Sequence, residues 1–261
     1  MRSATTARQS TARTWALRGI RVLSVFAVLV LWQWYGNQPN TFAVAPPTEV
    51  AEALRDGFTD GDFASALRGT LTTFLVGYLI AAFLGVFVGF FIATTSWGKN
   101  TVEPLIDALY ATPMSLLIPV IGIYTGLGFR GRIVFVVFWS IFEIIVNTVA
   151  GVRSTPPDRI ELARSFSAKR LFVYRRVIFP SALPLIATGL RLGVGRALRG
   201  AVTAELLLAA ANLGRLSLFA LSTFQIPTLL AVLVLVMLVG LVLMKAAALI
   251  ERRVLRYLEV G

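Results

Sequence analysis

The chain has 261 residues, of which 57% are hydrophobic and only 15% are charged, and its mean hydropathy is +0.78. Soluble domains average roughly 45–50% apolar and about 25% charged residues. The composition excludes a disordered tail and argues against a soluble globular enzyme, because a core of this size cannot hide so many apolar side chains from water. Neither cysteine nor histidine is present, which excludes disulfides, thiol chemistry, most zinc sites and histidine-based triads.

Lysine and arginine outnumber aspartate and glutamate by 25 to 13, for a formal charge of +12. Nucleic-acid-binding domains carry such charge on a folded polar surface, whereas here the charges lie between long apolar runs. The pattern predicts an all-α, polytopic membrane protein and no nucleic-acid partner. About 20 mostly apolar residues cross the hydrocarbon, so six spans are expected, at residues 19–36, 70–95, 105–127, 133–151, 183–208 and 224–248.

The fifth of these spans is the weakest, because Arg191, Arg196, Arg199 and Glu205 lie within it. It is counted because its omission would place the following loop on the wrong side of the membrane. The prediction is a single transmembrane domain over residues 19–251. Its cytoplasmic parts are an N-terminal tail (1–18), a central loop (152–182) and a C-terminal tail (252–261).

Basic residues predict the orientation, since cytoplasmic segments carry an excess of lysine and arginine. Seven basic residues lie in the loop 152–182, and five precede or open the first span. Both termini are therefore expected in the cytoplasm. The predicted external segments hold five basic residues: Arg55, Arg68, Arg130, Arg132 and Arg215. For Arg130 and Arg132, ordinary solvated loop charges are favoured over a place at the outer mouth or a contact with an external partner.

The N-terminal segment also has features of a secretory signal, because Ala43-Val44-Ala45 has the small residues of a cleavage site. Pro46 would directly follow the cut, and the rest of the chain is itself membrane-embedded. An uncleaved first span is the favoured interpretation.

Small residues recur at four-residue intervals in two spans. One row runs from Gly77 to Gly89 in the second span, and the other from Gly189 to Ala201 in the fifth. Such rows let helix backbones approach closely in lipid, and packing within the chain is favoured over a dedicated dimer face. In the third span, Pro113 and Pro119 are each predicted to kink or interrupt the helix.

The central cytoplasmic loop has an amphipathic pattern. Pro156-Pro157-Asp158 predicts a helix start, because proline is tolerated in the first turn and an acidic residue there suits the helix dipole. Apolar and basic residues then alternate up to Pro180 and Pro184. Two interpretations stay open at this point: a basic helix lying on anionic lipid, or a docking helix for a cytoplasmic partner.

The run from Glu161 to Pro180 resembles the cytoplasmic signature of ABC importer permeases, Glu-Ala-Ala, three residues, Gly, nine residues, Ile-x-Leu-Pro. Glu161, Ala163 and Pro180 match it, Leu162 replaces an alanine, and Ser167 replaces the glycine. The flanking runs 147–153, 188–197 and 202–205 are similar to the subfamily that imports sulfonates, taurine, nitrate and related small solutes, including pyrimidine vitamin precursors. Glycine normally permits a tight turn, so Ser167 requires either an ordinary backbone or some strain.

The resemblance implies a type I importer permease that is not itself an enzyme and binds no cofactor or metal. Such permeases work in identical or related pairs, with a cytoplasmic ATPase dimer and an external solute-binding protein. ATP and Mg would be bound by the ATPase, since this chain lacks the phosphate-binding loop Gly-x4-Gly-Lys-Ser/Thr. The most similar run, Trp97–Asn100, has neither the spacing of that loop nor its final serine or threonine. The residues implied to contact the ATPase are Glu161, Leu162, Ala163, Ser167, Ala168 and Pro180.

Charges at membrane depth are costly and normally face a cavity, a partner or an interface. At 100° per residue, the arginines and the small residues of the fifth span fall on different faces. The polar face is predicted to look into the solute path or toward Glu143, with an anionic solute as the candidate ligand. Snorkelling of Arg191 and pairing of Arg196 within the bundle are the alternatives. The candidate path residues are Arg196, Arg199, Glu205, Glu143 and Asn147.

Three other classes compete with an importer subunit. A secondary transporter would carry its own coupling-ion site, but the carboxylates at membrane depth are Glu143 and Glu205, with Asp107 near an edge, and no internal repeat is evident. An intramembrane enzyme would need a histidine for a Ser–His site or a second intramembrane aspartate for a two-Asp site, and a membrane scaffold is disfavoured by the loop motif. The main prediction is a permease that forms the path for a small anionic or heterocyclic solute.

Overall fold

The computed structural model describes residues 19–20, 23–38, 44–209 and 211–259, so the predicted N-terminal tail and Ala43 lie outside the described residues. Throughout these ranges the regular structure is helical, without strands. The helices are α1 (Leu23–Gly36), α2 (Pro47–Thr59), α3 (Asp62–Thr94), α4 (Glu103–Ala111), α5 (Ile118–Thr125), α6 (Phe129–Arg153), α7 (Pro157–Ser165), α8 (Arg170–Val173), α9 (Phe179–Ala204), α10 (Asn212–Ser222) and α11 (Ile226–Glu259). The fold is the all-α class that the composition predicts.

Four helical stretches are long and apolar enough to cross a membrane: α3, α6, the stretch Arg170–Leu208 that contains α9, and Ile226–Arg256 of α11. A fifth is formed if Gly98–Ala111 and Met114–Thr125, which are bent by 98°, count as one broken span. α1 is apolar but shorter. The described chain thus has four or five spans of full length, and the expected count of six is not confirmed.

Helix α6 lies at the centre of the bundle, between α3 and α9. A Cβ atom added at Gly85 of α3 would lie 2.9 Å from Cβ of Ile144 on α6, and one added at Gly189 of α9 would lie 2.6 Å from Cβ of Asn147. Real Cβ atoms do not approach so closely, so both rows of small residues bring their helices against α6. This confirms the prediction that the rows serve packing within the chain.

The third predicted span is interrupted at Pro113. The preceding residue, Thr112, is extended (φ −75°, ψ 133°), because the proline ring disfavours the helical conformation of the residue before it. Pro119 differs from the prediction: it occupies the first turn of α5, where its missing N–H is tolerated. One proline therefore breaks the span, and the other starts its second half.

Candidate coupling loop and charged faces

Helix α7 carries the first half of the signature and lies at the surface, with Ile160 and Ala163 packed against the cluster around Ile178. It begins at Pro157, with Asp158 in its first turn, as the sequence predicts, and none of its residues is buried. Glu161 is exposed, as are the apolar side chains of Leu162 (61%) and Phe166 (79%). Large apolar side chains grouped in this way mark an interaction surface.

Helix α7 ends in a Schellman turn built on Ser167. The Ala168 N–H donates to the Ala163 carbonyl at 3.2 Å, and the Ser167 N–H donates to the Arg164 carbonyl at 2.9 Å. Ser167 adopts φ +54°, the left-handed conformation that costs a non-glycine residue about 1–2 kcal/mol. Of the two alternatives for this position, the strained one is therefore realised: the serine takes the conformation that the glycine of the signature would favour.

The signature residues are distributed over the two sides of α7. Leu162, Ala163 and Pro180 line an open groove of about 560 Å³, which also contains Arg159 and Arg176. Ala168 lies on the other side, in a polar cavity of about 690 Å³ that three arginines line: Arg153, Arg164 and Arg170. The loop thus offers an apolar ridge flanked by cationic surfaces, which fits a protein partner with acidic and apolar contacts.

Three of the five predicted path residues, Arg196, Glu143 and Asn147, form one connected group. Nη2 of Arg196 lies 3.2 Å from Oε2 of Glu143, and the Tyr110 hydroxyl donates to the same oxygen at 3.2 Å. Asn147 donates its side-chain N–H to the Glu143 carbonyl at 2.8 Å. The predicted orientation of Arg196 toward Glu143 is therefore present, and the charge of Arg196 is neutralised within the chain.

Arg199 differs from Arg196 in having no carboxylate partner in the part of the chain that is described. It is exposed, and its Nε donates to the Gly195 carbonyl at 3.0 Å, one turn earlier in α9. This bond holds the side chain against the helix and leaves the terminal nitrogens of the guanidinium for a ligand.

Glu205 lies away from this exposed face. It is completely buried, and its two oxygens accept hydrogen bonds from the Thr70 hydroxyl at 2.7 Å and the Asn212 amide at 2.6 Å. Nη1 of Arg132 lies 3.7 Å from Oε1. The expectation that Arg132 is a solvated loop charge is wrong, because its side chain is only 13% exposed and lies between Glu205 and the Phe129 ring.

Arg191 also has a partner inside the chain. Its Nε lies 2.9 Å from Oε2 of Glu251 on α11, and the Thr188 hydroxyl donates to the other oxygen of Glu251 at 2.9 Å. Arg191 thus joins α9 to α11 through an ion pair, and its snorkelling to the interface stays a prediction. The sequence carries no local signal for this contact, because the two helices meet only in the folded bundle.

An all-helical bundle with a broken span and an exposed loop helix is the architecture of a polytopic membrane protein. The chain belongs to the family of binding-protein-dependent transport system inner membrane components, whose model matches residues 81–256, and it is therefore a permease subunit of an ABC importer. Family membership replaces the competing interpretation as a secondary transporter.

Several relatives are similar over most of their length. The riboflavin transport system permease protein RibX of Chloroflexus aurantiacus is 32% identical, over 93% of this chain and 91% of the relative. The nitrate import permease protein NrtB of Synechocystis is 26% identical, over 88% and 86%. The taurine transport system permease protein TauC of Escherichia coli is 29% identical, over 65% and 63%.

The fold is also that of a solved transporter chain. The inward-facing MetNI methionine ABC transporter contains a chain that matches with a TM-score of 0.65 and 19% identity, over 74% of this protein and 96% of that chain. At this identity the likeness shows the fold alone. It agrees with the predicted type I importer architecture.

Proposed function

We propose that this permease subunit is not itself catalytic and is driven by a separate cytoplasmic ATPase dimer that binds ATP and Mg. The ATPase would contact Glu161, Leu162, Ala163, Ser167, Ala168 and Pro180. A solute-binding protein would deliver the solute from the opposite side, and a second permease subunit, identical or related, would complete the path. Both termini would lie in the cytoplasm of a bacterial inner-membrane protein.

The main support for this proposal is the exposed apolar ridge of α7, formed by Leu162 and Phe166. Leu162 and Phe166 are long apolar side chains with most of their surface in solvent, and Glu161 lies beside them. A helix that lay on lipid alone would need only basic and apolar residues, whereas an acidic residue beside the apolar ridge suits a protein groove. A partner that covers this ridge would also move the rest of the loop.

A single introduced cysteine tests the docking and its side of the membrane, because the chain has no cysteine of its own. Glu161→Cys is expected to react with a membrane-impermeant maleimide in inverted vesicles but not in intact cells, and stripping the ATPase from the vesicles should increase the reaction. Asp60→Cys, in the exposed turn between α2 and α3, is the matched control with the opposite sidedness. Labelling of residue 161 in intact cells would refute the orientation and the docking together.

For the solute path we propose that the exposed face of α9 contacts a small anionic solute, with Arg199 as the cation that binds it. Arg196 is neutralised by Glu143, while Arg199 retains free guanidinium nitrogens. Relatives that bear the names of nitrate and taurine transport agree with an anionic solute, whereas the name of the riboflavin relative keeps a heterocyclic solute as a competing outcome. Glu143 and Asn147 would position Arg196 at this face.

Replacing Arg199 with alanine is expected to raise the half-saturating concentration for uptake by roughly ten- to 150-fold, since hydrogen bonds to charged groups contribute about 1.5–3 kcal/mol. Uptake of labelled nitrate, taurine and riboflavin by the complete transporter is the measurement, and Arg199→Lys should retain part of the affinity. Arg196→Ala is the matched comparison, and it should act mainly on the amount of assembled protein. Unaltered concentration dependence in Arg199→Ala for the transported solute would remove the assignment.

A further inference from the structure

The ion pair between Glu103 and Arg153 has the most demanding geometry of the four among the described residues. Nη1 and Nη2 of Arg153 each lie 2.6 Å from a different oxygen of Glu103, so the two planar groups meet along a shared edge. The other three pairs are recorded through a single nitrogen–oxygen contact. Bidentate contacts fix the direction as well as the distance between their partners.

Glu103 and Arg153 lie at the ends of two helices in different parts of the permease. Arg153 is the last residue of α6, and Ser154–Pro156 leads from it directly into α7. Glu103 is the first residue of α4, the first half of the broken span. The pair therefore joins the base of the coupling loop to the helix that precedes the 98° bend.

Helix α4 continues directly from the π turn Gly98–Val102 and makes polar contacts with α6 near both of its termini. None of its residues is buried, although Ile106 packs against the cluster around Ile145. At its first residue Glu103 binds Arg153 of α6, and near its last residue the Tyr110 hydroxyl donates to Glu143 of α6. A helix held in this way can rotate or shift as a unit when one end contact moves.

The Tyr110 end leads to the solute path. Glu143, which accepts from Tyr110, also pairs with Arg196 of α9. A displacement of Arg153 is thus connected, through Glu103 and the length of α4, to the charged group proposed to border the path. The connection is a contiguous set of contacts, which is the physical requirement for energetic coupling between two sites.

We propose that the Glu103–Arg153 pair is the positioning contact through which movement of the coupling loop reaches the broken span. This rests on the proposed function, since it assumes that a partner moves α7. The planar shape of the guanidinium is essential as well as its charge. Its two terminal nitrogens bind both oxygens of Glu103 in one plane, so a rotation of Arg153 would also turn Glu103. A lysine would keep the charge but would act as a point contact.

The experiment compares variants in the assembled transporter, reconstituted with its ATPase and binding protein, by the solute transported per ATP hydrolysed. Arg153→Lys is expected to lower this ratio about tenfold, because the ammonium cannot reproduce the bidentate geometry, while ATP hydrolysis and the amount of complex stay near wild type. Glu103→Gln should behave similarly. The exchanged variant Glu103→Arg with Arg153→Glu should recover most of the ratio.

Arg191→Lys is the matched control, since Arg191 and Glu251 form a partly exposed ion pair of α9 and α11 that does not touch the loop. It should leave the ratio unchanged. A normal ratio in Arg153→Lys, or an equal loss in Arg191→Lys, would overturn the inference. If the single variants fail to assemble, the exchanged pair decides: recovery supports the inference, and loss of the ratio contradicts it. Absence of ATP-dependent uptake in the wild-type complex would instead refute the proposed function.

Discussion

Replacing Glu205 with alanine is expected to destabilise the permease more than any other single truncation of a charged side chain in its spans. The carboxylate is fully buried and binds Thr70 of α3 and Asn212 of α10, with Arg132 of α6 nearby. Its removal leaves the Thr70 hydroxyl and the Asn212 amide without their acceptor, and leaves Arg132 without its counter-ion. Breaking a buried charged pair in this way costs about 3–5 kcal/mol.

The thermal midpoint of the purified protein measures this effect. For a chain of this size, 1 kcal/mol corresponds to about 2–4 °C, so Glu205→Ala should lower the midpoint by roughly 6–20 °C. Glu205→Gln, which keeps an acceptor but no charge, should fall between alanine and wild type. Asp56→Ala, at an exposed position of α2, is the control and should change little. A midpoint of Glu205→Ala equal to wild type would contradict the buried cluster.

The backbone at Glu205 is packed closely against the start of α10. α9 ends at Ala204, and Glu205 opens a wider π turn, Glu205–Ala209. A Cβ atom at Gly214 would lie 2.5 Å from the Glu205 carbonyl carbon, so the start of α10 packs directly onto this turn. Insertions of this kind in a helix are frequent at functional sites. Here the turn brings one carboxylate within reach of α3, α6 and α10.

Local features of the fold could be predicted from the sequence because their causes are local. The prolines at 156 and 157 predict the start of α7, and the four-residue spacing from Gly77 and from Gly189 predicts two close-packing faces. Pro113 predicts a break in the third span but not its 98° angle, because the angle depends on how both halves pack.

The contacts of the charged residues could be predicted only in part. Arg196 and Glu143 lie at matching depths on helices whose faces the sequence indicates, so their pairing was foreseeable. Thr70 and Glu205 are 135 residues apart, and their contact depends on the register between α3 and α9. The spacing of residues along the sequence does not indicate that register. Arg132 was misjudged for the same reason: its position beside a loop indicates solvent, while the fold turns it toward a buried carboxylate.

Reversing the charge of Glu161 is expected to abolish most solute uptake while leaving the assembled transporter in the membrane. Glu161 is exposed on α7 and has no ion pair with another described residue, so Glu161→Arg should not lower the thermal midpoint. The partner group that binds the Glu161 carboxylate would be a cation or a hydrogen-bond donor, and the introduced arginine would be opposed to it. Like charges opposed across an interface cost several kcal/mol, so uptake should fall by more than about tenfold.

Uptake and ATP hydrolysis by the reconstituted transporter distinguish a coupling defect from a loss of assembly. In Glu161→Arg, hydrolysis should continue at or near its basal rate but should no longer respond to the solute-loaded binding protein, because the ATPase closes without moving α7. Glu161→Ala, which removes the carboxylate without adding a charge, should lose less uptake than Glu161→Arg. If basic residues bound this loop only to anionic lipid, the extra arginine would strengthen that binding and uptake would be normal or higher. The direction of the change in uptake therefore separates a loop held by a protein motor from one that lies on the membrane surface.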